Sequence, residues 1–141
     1  MGEVPARVFA DNTEFRNQFR QLQIAVHETA LSKGWYNPPK TFGEYLVLLH
    51  AEISEALEEY RNSHQPHEVY HVHPSQPFIE GADIHLVPGP QKPEGVPIEL
   101  ADLLIRLLDT CEYYNIDLIG AVLEKMQYNE TRSHRHGGKV L

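Results

Sequence analysis

The stretches HAEISEALEEYR, residues 50–61, and PIELADLLIRLLD, residues 97–109, decide the fold. Each is rich in apolar residues at helical spacing, and each carries two carboxylates three positions apart: Glu52 with Glu55, then Glu99 with Asp102. Positions three apart lie on one face of a helix. On the first of these helices the spacing makes Leu46, Leu49, Ile53, Leu57 and Tyr60 the buried stripe, with Glu52 on its shoulder and Glu55 and Glu59 further round. On the second, Leu100, Leu103, Leu104, Leu107 and Cys111 are expected to face inward. Glu99, Asp102, Arg106 and Asp109 then form the opposite edge.

Working outward, Phe15, Phe19, Leu22 and Val26 recur at helical spacing and predict a helix over 13–33, capped by Asp11, Asn12 or Thr13 and stopped at Gly34. Thr41 followed by Glu44 is a capping-box pattern for the next helix, to about residue 62. Pro97 suits the first position of the third, which runs to about Tyr114 with Asn115 as its cap. Asp117 opens a fourth, striped by Ile119, Val122, Leu123 and Met126. These elements predict an all-α fold, a four-helix bundle in a single domain over 1–141. Residues 63–96 differ. They hold six of the ten prolines and five of the nine histidines, and read as an insertion between the second and third helices. VYHV and DIHLV within it have the composition of short hairpin strands. A connection of this length is usually functional or disordered. Residues from about 133 onward read as a flexible basic tail.

A formal net charge of −8 argues against sequence-independent nucleic-acid binding, which needs a basic footprint. No apolar run reaches membrane-spanning length, and the start lacks a basic-then-apolar leader. The single Cys111 permits no internal disulfide and falls among leucines, as a buried core thiol would. The expectation is a cytoplasmic protein that binds neither nucleic acid nor membrane.

Acidic helix faces are ordinary, and Arg106 offers its neighbours an ion pair of small consequence. The four carboxylates taken together have a more specific use. Two adjacent helices that each present a pair would enclose one or two hard cations, and Mg²⁺ needs only a few carboxylates beside water and substrate phosphates. Clustered carboxylates without a cation repel, and at least one retains its proton. Downstream, KMQYNETR (residues 125–132) places Lys125, Asn129 and Arg132 on one helical face, a set suited to polyphosphate.

LLHAEISEALEEYRN, KPEGVPIELADLLIRLLD and KMQYNETRSHRHGGK resemble the MazG-like all-α nucleoside triphosphate pyrophosphohydrolases, most closely the small proteins of phages and actinobacteria. The resemblance covers nearly the whole chain apart from the first dozen residues and much of the insertion. It implies hydrolysis of a nucleoside triphosphate between its α and β phosphates, giving a monophosphate and pyrophosphate. It also implies Mg²⁺, with Mn²⁺ as a substitute, held by Glu52, Glu55, Glu99 and Asp102. Lys125, Asn129 and Arg132 would lie toward the phosphates, in a homodimer or homotetramer. One departure is the 43 residues between Glu55 and Glu99, a longer separation than in most of the family. Glu55 is favoured as the proton acceptor, and Trp35 is a candidate to stack on a nucleobase.

Of three rivals, the first fails on its motif. A di-iron carboxylate bundle requires Glu-x-x-His on two helices, and the only instance, Glu68 to His71, sits in the insertion. Zn²⁺ on His64, His67, His71 and His73 has suggestive spacing but no cysteine to help. The third is a non-catalytic helical interaction module on the same fold.

Overall fold

A computed structural model of the chain describes residues 6–132. The tail expected from about 133 lies outside them. The described chain is mostly helical: α1 (Ala6–Ala10), α2 (Thr13–Ser32), α3 (Phe42–Arg61), α4 (Val96–Tyr113) and α5 (Leu118–Glu130). It is not all-α. Between α3 and α4 stand β1 (Tyr70–Val72), β2 (Ser75–Glu80), β3 (Asp83–Pro88) and β4 (Lys92–Glu94). They form two small antiparallel sheets, β1 with β4 and β2 with β3. The two expected strand segments are both present, but they do not pair with each other. Tyr70 lies opposite Glu94, and Ile79 opposite Ile84. A backbone too rich in proline for a helix satisfies its polar groups across short ladders instead.

Helix ends follow local chemistry. The Asn12 side chain caps α2, accepting from the Phe15 N–H. Thr41 and Glu44 form the full capping box of α3, and Asp117 caps α5 by accepting from the Gly120 N–H. Three helices end in the same way, each with a left-handed residue: Gly34 after α2, Ser63 after α3 and Asn115 after α4. The next residue's N–H then reaches back five positions, from Trp35 to Ala30, His64 to Glu59 and Ile116 to Cys111. These paired bonds satisfy carbonyls that the helix leaves open.

The described chain divides into two compact units, residues 6–39 with 107–132, and residues 40–106. In the first, Leu108, Ile119 and Leu123 are buried, as is Cys111, whose thiol burial pushes above its usual pKa. Asp109, expected on an outer edge, is buried and meets His27 Nδ1 at 2.7 Å. Gln23, also buried, donates to Glu112 and to the Ile116 carbonyl.

In the second unit the expected stripe is largely turned outward, with Leu49 and Leu103 half-buried. Glu52 and Glu99 are buried, at 4% and 7% exposure. Leu46, Ile53, Leu57 and Tyr60 on α3 are exposed, as are Leu100 and Leu104 on α4, with Leu57 at 55% and Tyr60 at 58%. Helical periodicity separates two faces but does not say which of them meets the neighbouring helix. Here the carboxylate face does. On each helix the apolar stripe sits ~100° round from the inward carboxylates, and because the two helices run antiparallel, both stripes turn to one side of the pair. No helix among the described residues is long and apolar enough to cross a membrane.

Candidate metal centre

The β1–β4 ladder joins the end of α3 to the start of α4. Gly95, at φ +116°, makes the turn from β4 into α4, and a Cβ there would run into the Glu68 carbonyl oxygen. The ladder sets the two helices antiparallel, so that Glu52 meets Asp102 and Arg106 while Glu59 meets Glu94, with Glu99 common to both ends. One oxygen from each of Glu52, Glu99 and Asp102 lies within 4.8 Å of the others. Asp102 is the most open of the three. A second group shares Glu99 and adds Glu59 from α3 and Glu94 from β4, with oxygens again within 4.8 Å of one another.

The electrostatics follow from burial and like charge. The Glu99 carboxyl is pushed up to about 7, first by desolvation and then by Glu55, Asp102 and Glu52. Asp102 is also raised, by burial and by Glu52, although Arg106 and Lys92 oppose the shift. Arg106 Nε donates to Glu52 Oε1. Lys92 Nζ meets Glu94 at 2.6 Å, and that carboxylate holds the ammonium above its usual pKa. Tyr70 donates its hydroxyl to both Glu59 oxygens, at 3.2 and 3.0 Å, and the His64 ring stacks on Tyr70 with centroids 4.4 Å apart. Desolvation, with Glu59 next, raises the Tyr70 phenol.

No family model, curated protein or solved structure matches the chain. Its chemistry is therefore read from its own residues. Three of the four expected carboxylates converge: Glu52, Glu99 and Asp102. Glu55 does not join them. It stands exposed on α3, about 60° round from Glu52, and acts on Glu99 only through its charge.

Lys125, Asn129 and Arg132 all lie exposed, Lys125 and Asn129 on α5 and Arg132 just beyond it, in the unit that does not hold the carboxylates. Lys125 Nζ sits 4.7 Å from the centre of the Tyr128 ring. Trp35 is exposed in the turn after α2, beside Tyr36, whose ring lies 4.4 Å from that of Tyr113. Among the described residues the insertion histidines do not converge as a group that could hold a metal ion. His64 pairs instead with Glu68 at 3.1 Å, and His73 Nδ1 meets the Gly89 carbonyl at 3.2 Å.

Sequence reasoning missed Glu59 and Glu94 as members of the acidic cluster. Glu59 had a signal, since it is seven positions from Glu52 and so on the same face. Glu94 had none, because only the β1–β4 register delivers it.

Proposed function

We propose that this protein is a Mg²⁺-dependent nucleoside triphosphate pyrophosphohydrolase that cleaves between the α and β phosphates. One observation carries the reading: two buried glutamates and an aspartate from antiparallel helices bring one oxygen each within 4.8 Å of the others, and burial drives one of them toward neutrality. That donor set fits a hard cation, for which all-oxygen ligation is the rule. Mg²⁺ bound there would neutralise phosphate charge and acidify a water. Glu52, Glu99 and Asp102 would hold it, with Arg106 fixing the Glu52 carboxylate in place. Glu55, outside the ligand group, would take the proton that the attacking water gives up. The resemblance assigns Lys125, Asn129 and Arg132 to the phosphates, and Trp35, an exposed aromatic, is the candidate to stack on the base. A bundle completed by copies of the same chain belongs to the same proposal.

The competing reading is a non-catalytic helical module, in which Arg106 and Lys92 serve only to neutralise the acidic helices. Product analysis separates the two. Purified protein with Mg²⁺ and a nucleoside triphosphate is expected to yield monophosphate and pyrophosphate, with orthophosphate appearing only after inorganic pyrophosphatase is added. Lys125→Ala is expected to lower turnover, on the order of 10²-fold, because charge on the leaving group is greatest in the transition state. Orthophosphate and a diphosphate released at the full rate without the helper enzyme would exclude the reading. No turnover of any nucleotide would favour the module.

The exposed stripe of α3 and α4 supports a homo-oligomer. Each large apolar side chain taken out of water contributes roughly 1.5–3 kcal/mol, and the stripe offers at least six: Leu46, Ile53, Leu57, Tyr60, Leu100 and Leu104. Light scattering at micromolar concentration is expected to give at least a dimer, and Leu57→Lys to give a smaller species. A wild-type monomer would contradict this.

A further inference from the structure

We infer that the hairpin of β2 and β3 is an arm that lays one face on the exposed α3–α4 stripe of a second copy of this chain, each copy receiving the other's arm. The inference rests on the homo-oligomer reading and deepens it. It does not depend on the cation site or on turnover.

Gly81, at φ +64°, opens a two-residue turn between β2 and β3 and fixes their register. Cross-strand partners share a face, and successive residues alternate between faces. Pro77 opposite Leu86 and Ile79 opposite Ile84 therefore make one apolar face. The reverse face is mixed, with Phe78 beside His85 and Glu80 beside Asp83. Such alternation suits a hairpin covered on one side. Yet Ile79, Ile84 and Leu86 are 68%, 71% and 75% exposed. A two-stranded hairpin without a covering layer is marginal in water.

The neck of the arm keeps that face off its own helices. It carries Pro74, Pro88 and Pro90, and it is pinned at the buried Gly89. The Gly89 N–H donates to the Pro74 carbonyl, and its own carbonyl meets His73 Nδ1. A Cβ at Gly89 would strike the same Pro74 oxygen. An arm held in this way loses little freedom on docking. The α3–α4 stripe is the matching apolar surface of the same unit. β2 is about 20 Å long, and Leu46 to Tyr60 spans about 21 Å along α3. Arm and stripe together present nine large apolar side chains, three and six. At roughly 60–100 Å² each, about half of a fully open large side chain, they offer about 550–900 Å² per copy, against the ~800 Å² per partner of a stable interface. A two-fold pair that exchanges arms covers both surfaces at once, whereas stripe against stripe leaves both arms in water. The acidic tip, Glu80 and Asp83, and the net charge of −8 disfavour an anionic membrane as the occupant.

Two measurements on the full chain test the exchange. In sedimentation over a range of concentrations, Leu86→Lys is expected to weaken self-association by on the order of 10²-fold. Phe78→Lys, on the reverse face, should leave it unchanged. The second measurement does not require a variant that loses assembly. With p-benzoylphenylalanine in place of Leu86, unlabelled and heavy-nitrogen chains are mixed, irradiated and digested, and linked peptides are read by mass spectrometry. The expected product joins residues 75–88 of one chain to α3 or α4 of a chain of the other isotope. Links confined to one chain, arm-to-arm links, or no link in an assembled wild type overturn the exchange and leave the homo-oligomer standing. So does self-association that Leu86→Lys does not weaken, or that Phe78→Lys weakens equally. A wild-type monomer overturns both.

Discussion

Asp102→Asn is expected to lower Mg²⁺-dependent hydrolysis by on the order of 10²–10³-fold while leaving the far-ultraviolet circular dichroism unchanged. An amide keeps the shape of the carboxylate but not its charge, and the site has only three converging carboxylates with which to offset a divalent ion. Stability without metal should hold or rise. Burial and the neighbouring Glu52 already disfavour ionised Asp102 in the folded chain, so its neutralisation relieves a repulsion. Glu52→Gln should abolish turnover as thoroughly but act oppositely on stability. Arg106 donates to that carboxylate, and losing one partner of a part-buried pair is costly. Steady-state rates with and without Mg²⁺, beside melting curves, test both variants. Full activity in either removes the metal assignment.

The second large effect is a pH dependence of stability that the cation suppresses. The Glu99 carboxyl stands at about 7 in the folded chain against 4.5 as its ordinary value. The folded state thus favours the protonated form. Its contribution to stability is fully present below about 4.5 and is lost as the pH rises through about 7. Over that window the linkage amounts to roughly 3 kcal/mol, or a fall in Tm on the order of 10 °C. Melts in chelator at pH 5 and pH 8 are expected to show that fall. Saturating Mg²⁺ should flatten it, because a cation replaces the proton as the partner of the buried charge. Glu99→Gln should flatten it without Mg²⁺. An unchanged slope in Glu99→Gln would show that the dependence arises elsewhere.

Much of the backbone plan was legible in the residues, because it depends on neighbours a few positions apart. Thr41 with Glu44, Asn12 ahead of α2 and Asp117 ahead of α5 all cap where their spacing says they should. Gly34 and Asn115 end their helices in the left-handed conformation that such residues tolerate best. The positions of Glu52, Glu99 and Asp102 on helices were visible for the same reason.

Contacts between distant residues decided the rest. Periodicity marked a carboxylate face and an apolar face on α3 and α4, but either can be turned inward when another surface is available to cover the one left out. Only tertiary structure placed Glu52 and Glu99 inside and left Ile53, Leu57 and Leu104 exposed. Composition marked strand-like segments in the insertion, yet pairing partners are chosen through space. That choice set Tyr70 opposite Glu94, and so carried a glutamate from a proline-rich loop into the acidic cluster. A lone carboxylate in such a segment has no periodic signature, since nothing within one helical turn or one strand repeat records what it will meet.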